Sequence, residues 1–157
     1  MRRMLMVAAL IAAACAPAAP HSAGAQPQAS IAACVGAAMT EDALRQCKGI
    51  VAAPCLVAPG GETTAAALQC EARERDQWSA VLDAEIARLE AESPERSAHL
   101  AAASAAWETW RQAECAYRAS EYDGGSLANV LAASCFNDLT ANRAIALILS
   151  RRARADQ

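Results

Sequence analysis

Residues 78–94 read WSAVLDAEIARLEAESP, and the fold is decided there. Trp78, Leu82, Ile86 and Leu89 recur at spacings of four, four and three, with Val81 beside them, which is the period of one apolar helix stripe and not of a strand. Upstream, Thr63 or Thr64 can cap this helix, and its other faces are charged, with Glu71 placed four residues before Arg75. Downstream, the helix is expected to end near Glu92, and Ser93-Pro94-Glu95 reads as a stop and restart, with Ser93 as cap and Pro94 at the first helical position. A second long helix runs to about Ser120 on a stripe of Leu100, Ala103, Trp107, Trp110 and Tyr117. Asp123-Gly124-Gly125-Ser126 closes it, because glycine takes the left-handed cap conformation and Ser126 can cap the next helix. The last helix carries Leu127, Leu131, Cys135, Leu139, Ala146 and Leu149, with Val130 and Ile145 alongside, and is expected to fray over residues 151–157.

Toward the N-terminus the signals shorten. Residues 26–30 read as a polar leader, residues 31–38 as a first helical piece, and Thr40 as the cap of a second, with Glu41 and Asp42 at the positive end of its dipole. Between residues 49 and 61, Pro54, Pro59 and Gly60 predict a loop. Alanine accounts for 44 of the 157 residues and aromatics for only 4%, so the core must be built from closely approaching helices with few large side chains. A chain with 55% hydrophobic and 20% charged residues is not a disordered tail. The expected architecture is all-α: a disulfide-stapled bundle of about three long antiparallel helices plus short N-terminal helical pieces, forming one domain over residues 26–157.

Residues 1–25 read as an export signal. Arg2 and Arg3 precede an apolar run from Met4 to Ala14, and Ala23-Gly24-Ala25 supplies the small-x-small pattern of a signal peptidase site. The run falls short of the roughly 20 apolar residues that a membrane span needs. A second reading is a lipid anchor at Cys15, since Ala13-Ala14-Cys15 resembles the end of a lipidation motif, with Ala12 where that motif prefers Leu. Either route leaves Cys34, Cys47, Cys55, Cys70, Cys115 and Cys135 in a periplasmic or secreted protein, where three disulfides are the default. The competing zinc reading lacks any Cys-x-x-Cys pair. Loss of Arg2 and Arg3 leaves 12 basic and 17 acidic groups, a balance unsuited to nucleic acid and suited to a cationic partner.

Helix geometry suggests how the cysteines pair. Cys115 and Cys135 each lie ten residues from Gly125, so an antiparallel hairpin turning there sets both about 15 Å from the turn, facing each other. Cys70 lies 23 residues before Ser93 and Cys115 lies 21 after Pro94, which places Cys70 near the same end of the bundle. Cys34 is then expected to reach Cys70, leaving Cys47 with Cys55.

The catalytic inventory is thin. Beyond residue 25 the one histidine is His99, which reads as a surface or packed residue beside Leu100. There is no Gly-x-Ser-x-Gly elbow, P-loop or dinucleotide fingerprint, and six paired cysteines leave no thiolate. Glu71 and Glu74 read as a solvated face of an Arg-rich helix, Trp107 and Trp110 as core, and Arg111 and Arg143 as ion-pair partners between helices. No catalytic, metal or cofactor-binding residue is expected, and no cofactor. Glu121-Tyr122-Asp123 places an aromatic and two carboxylates on a loop tip, the position where a rigid scaffold carries function.

One constellation is more specific. Trp107-x-x-Trp110-Arg111-x-x-x-Cys115, then Gly124-Gly125-Ser126, then Cys135 followed by Leu139-Thr140-x-x-Arg143, resembles the exported lysozyme inhibitor LprI family, with Cys70-x-x-x-Glu74 and the run from Trp78 to Leu82 fitting its earlier helix. The resemblance covers roughly residues 34–149 and is tightest after Leu100. Two places depart from the family pattern: Leu82-Asp83-Ala84-Glu85-Ile86 stands where it has Leu-Asn-x-x-Tyr, and Ser104 where it has Gln. The resemblance implies a non-enzymatic, protein-binding module whose partner is a cationic lysozyme. Tyr122, Asp123 and Ser126 are the candidate contacts; Asp123 would meet the carboxylates of a lysozyme cleft, so the Tyr122 and Ser126 hydroxyls are better suited to insertion. The alternatives are a structural or stress-related envelope module with another protein partner, and a small envelope hydrolase.

Overall fold

The computed structural model describes residues 29–122 and 124–155. The export signal, Cys15, the cleavage position and Asp123 lie outside these residues. The described residues form six α-helices and no strand: α1 Ile31–Ala37, α2 Glu41–Gln46, α3 Ala52–Val57, α4 Thr64–Glu92, α5 Ser97–Ser120 and α6 Ser126–Ala155, with a 3₁₀ turn Pro94–Arg96 between α4 and α5. Caps explain the starts: Ser30, Thr40 and Thr63 each accept from the backbone N–H three residues on.

Two bonds fix how the long helices run. Asn137 Nδ2 donates to Glu71 at 2.8 Å, and fourteen residues later on both helices Arg151 Nε donates to Glu85, so α4 and α6 are parallel and in constant register. Across the other interface Arg111 pairs with Thr140 and Cys115 with Cys135, an antiparallel relation. The bundle is therefore up, down, up, with α6 in the middle. Trp78 is fully buried beside Ala141 and Ala144, whose small side chains let the helices approach closely enough to enclose the indole. Leu82, Leu89, Ile145 and Ile148 extend this core, and Ile31, Val35 and Leu44 from α1 and α2 close it.

Several expectations are corrected. Residues 52–57 are helical and not a loop, because the Glu74 carboxylate accepts from the backbone N–H of Gly49, Val51 and Ala52 at 2.7, 3.0 and 2.7 Å and supplies the start that no local side chain gives. Glu71 and Glu74 are buried rather than solvated, as is Glu85 on the same helix, and Glu71 is taken by Asn137 while Arg75 pairs with Asp76. Residues 151–155 stay helical, with Arg151 held by Glu85. On α5 the stripe is narrower than expected: Trp110 is 49% and Tyr117 67% exposed, because Arg111 occupies the inward position between Trp107 and Cys115. Leu127, expected inside, is also exposed.

The disulfides are Cys34–Cys47, Cys55–Cys70 and Cys115–Cys135, with Cα separations of 5.8, 5.7 and 5.6 Å. The expected Cys34–Cys70 and Cys47–Cys55 pairs do not form. The Ile31 N–H is bound by Gln77 Oε1, seven residues or about 10 Å along α4 from Cys70, so α1 holds Cys34 beyond bridging range. Cys55 instead lies over the start of α4, brought there by the Glu74 contacts. Gly61 completes that corner: a Cβ there would sit 2.5 Å from the carbonyl oxygens of Cys55 and Leu56.

Candidate functional site

The loop-tip residues sit where α5 turns into α6. Gly124 adopts φ +75°, the left-handed conformation that glycine takes without a Cβ clash, and the Gly125 N–H returns to the Tyr122 carbonyl at 3.1 Å. Ser126 is the first residue of α6, and the Ala128 N–H bonds the Gly125 carbonyl at 3.0 Å. Tyr122 is 47% exposed and Ser126 and Leu127 are exposed, so the tip is open to a partner. Beneath it the Cys115–Cys135 bridge holds the hairpin, and Arg118 pairs with Glu114 at 2.8 Å within α5. Tyr122, Glu121, Leu131 and Asp138 border a shallow hollow of about 410 Å³ on this end.

The exposed apolar side chains lie along α5 and its turn into α6. Of the large hydrophobics that stand in solvent among the described residues, Trp110, Tyr117, Tyr122 and Leu127 fall within eighteen consecutive positions, the others being Met39 and Val57. Trp110 and Tyr117 are two turns apart on one face of α5, and Cys115 is the one residue buried on that helix. Exposed aromatics beside a disulfide-fixed turn are the composition of a docking edge. Periodicity alone places Trp110 and Tyr117 inside; the wide exposure of α5, which packs chiefly on α6, shows where they belong.

The family-like motif residues form a separate cluster behind that edge. The Arg111 guanidinium lies 4.7 Å from the Trp107 ring centre and 5.4 Å from that of Phe136, donates to the Thr140 hydroxyl, and pairs with Glu108 at 2.7 Å. Thr140 in turn donates to the Phe136 carbonyl at 2.6 Å. The Arg111 hydrogen bond draws the Glu108 carboxyl below its ordinary range, against an opposing effect of burial. Arg143 lies 5.9 Å from the same Trp107 ring and has no carboxylate partner among the described residues. The expected interhelical ion pairs are thus replaced by cation–π stacking and a pair within α5. The two departures from the family pattern meet here: Asp83, Ile86 and Ser104 line one hollow of about 210 Å³ with Arg111 and Arg143, and Ser104 Oγ, Arg111 Nε and Arg143 Nε have no hydrogen-bond partner.

Among the described residues no three His, Cys, Asp or Glu side chains come together as metal ligands, and no helix is long and apolar enough to cross a membrane. What the geometry defines is a class: a small disulfide-stapled helical protein that presents a rigid aromatic edge. The profile of the lysozyme inhibitor LprI family matches residues 55–147, more than half of the chain, and the chain belongs to that family. Neither a curated protein nor a solved structure matches it. The matched segment runs from α3 into α6 and contains two of the three disulfides, the aromatic edge and the Trp107 cluster.

Proposed function

We propose that the chain is an exported protein that binds a lysozyme-type muramidase and blocks it, without catalytic turnover of its own, through the α5–α6 turn and the outer face of α5. Membership of the LprI family supports the target. The observation that carries the contact surface is the concentration of Trp110, Tyr117, Tyr122 and Leu127 in solvent beside a disulfide-locked turn. Rigidity matters because an edge already ordered before binding loses little entropy on docking. Three disulfides fit an oxidising compartment, periplasmic or outside the cell, and the signal-like residues 1–25 give a route there. Exported protein is expected to start at Gln26 by intact mass; a lipid adduct on a chain starting at Cys15 would assign the anchored form instead.

The test is lysis of a cell-wall suspension by lysozyme with and without the oxidised protein. Saturable inhibition is expected, and Tyr122→Ala should weaken it by more than about 1 kcal/mol, as for an aromatic anchor, while leaving the melting temperature nearly unchanged. Undiminished lysis by host-type and bacterial lysozymes at micromolar protein would replace this reading with a structural envelope module.

A further inference from the structure

At the opposite end of the bundle from the aromatic turn, a cavity of about 260 Å³ opens between the end of α4, the 3₁₀ turn, the start of α5 and the last turns of α6. Its floor is apolar, with Leu89 and Leu147 buried and Leu100 half-buried. Its rim carries Arg96, Arg143 and Arg154, and no aspartate or glutamate lines it. Elsewhere most cations are matched. Arg45, Lys48, Arg75, Arg88, Arg111, Arg118 and Arg151 all have carboxylate partners, whereas the three rim arginines, like Arg73 and Arg152, have none among the described residues. Among the described residues Arg154 reaches only the Ser150 hydroxyl, at 2.8 Å, and the buried Nε of Arg143 has no acceptor. The C-terminal ends of α4 and α6 offset about half a charge each, less than three guanidinium groups bring.

We infer that this cavity binds a small amphiphilic anion, with its carboxylate or phosphate head on Arg96 and Arg154 and a short hydrocarbon tail running over Leu89, Leu100 and Leu147 toward Arg143. A guanidinium presents paired N–H donors that match either head, and no carboxylate of the chain lines the cavity to occupy them. The volume sits just below the roughly 300 Å³ at which small-molecule sites usually begin, which suits a tail of about six to ten carbons and not a folded partner. None of the cavity residues belongs to the Tyr122 turn or to the outer face of α5 that carries Trp110 and Tyr117, so the site is separate from the contact surface of the inhibitor reading.

The experiment is an NMR titration of the oxidised full chain with octanoate, octyl phosphate, octanol and inorganic phosphate. Octanoate or octyl phosphate should shift the amides of Ser97, His99, Leu147 and Ser150 and bind at least about tenfold tighter than octanol or inorganic phosphate, the tighter of the two identifying the head. Combined Arg96→Gln and Arg154→Gln, both off the core, should weaken that binding by at least about tenfold. Ala103→Leu, which fills the mouth from an exposed helical position, should weaken it without unfolding the chain. Equal binding of octanol, equal binding of inorganic phosphate, shifts centred elsewhere, or an unaltered affinity in the double variant would each overturn the assignment.

Discussion

Glu74 shows how much one side chain can organise. Its carboxylate is 2% exposed and takes three backbone N–H groups that have no other partner, so it replaces the cap that α3 lacks and ties that helix to α4. Removing it leaves three donors stranded in a closed site. Glu74→Ala is expected to destabilise the protein by about 2–4 kcal/mol in urea unfolding, with Glu74→Gln intermediate because its one carbonyl oxygen cannot serve all three donors. Exposed Glu41→Ala should cost under about 0.5 kcal/mol, since its pair with Arg45 is open to solvent. Equal effects at the two positions would show that the Glu74 contacts do not stabilise the fold. A signal for this role was present in the sequence: Glu71, Glu74, Trp78, Leu82, Glu85 and Leu89 follow one another at spacings of three and four, so the carboxylates share the apolar stripe and must point inward with it.

At the scale of elements, the long helices were readable because caps and apolar period agree. Thr63, the Ser93-Pro94 break and the glycine turn stand where the structure puts the boundaries. The short α3 was not readable, because its start is stabilised by a residue 22 positions away in sequence. Disulfide pairing divides the same way. Cys115–Cys135 follows from a single local hairpin, whereas pairing the other four required knowing where α1 and α3 dock, which Gln77 and Glu74 decide. The exposed turn of the candidate site was legible as a loop tip; the aromatic face beside it was not, since periodicity cannot say that Arg111 displaces Trp110 from the inward line. Replacing Cys55 and Cys70 by serine reopens a 15-residue loop, worth about 3 kcal/mol by chain entropy. Hydrogen exchange should then rise first in residues 49–61, with lysozyme inhibition retained in whatever fraction remains folded. Loss of inhibition by protein shown to be folded would move the contact surface to the α3 corner.

For the whole molecule, charge is arranged along the bundle axis. Arg96 and Arg154 lie near the start of α5, and the 24 residues of that helix carry the chain about 36 Å to the Tyr122 turn. Around the turn Arg118 is neutralised by Glu114 and Lys48 by Asp138, while Glu121 stands exposed without a partner among the described residues. On the proposed reading, net charge −3, or −5 once Arg2 and Arg3 are removed, attracts a cationic enzyme to the chain as a whole, and unpartnered Glu121 adds to that attraction at the aromatic end. Such steering acts over distances that salt screens, the Debye length shrinking from about 30 Å at 0.01 M to about 8 Å at 0.15 M. Apolar contacts of Tyr122 in the proposed complex would form only after encounter, so salt should leave them nearly untouched. Stopped-flow or surface-binding kinetics are expected to show an association rate falling by about tenfold over this range with dissociation little changed. Tyr122→Ala should do the reverse, speeding dissociation at every ionic strength while keeping the same salt slope. An association rate indifferent to salt would mean that net charge does not guide the encounter, and a Tyr122→Ala effect confined to association would remove that residue from the docked interface.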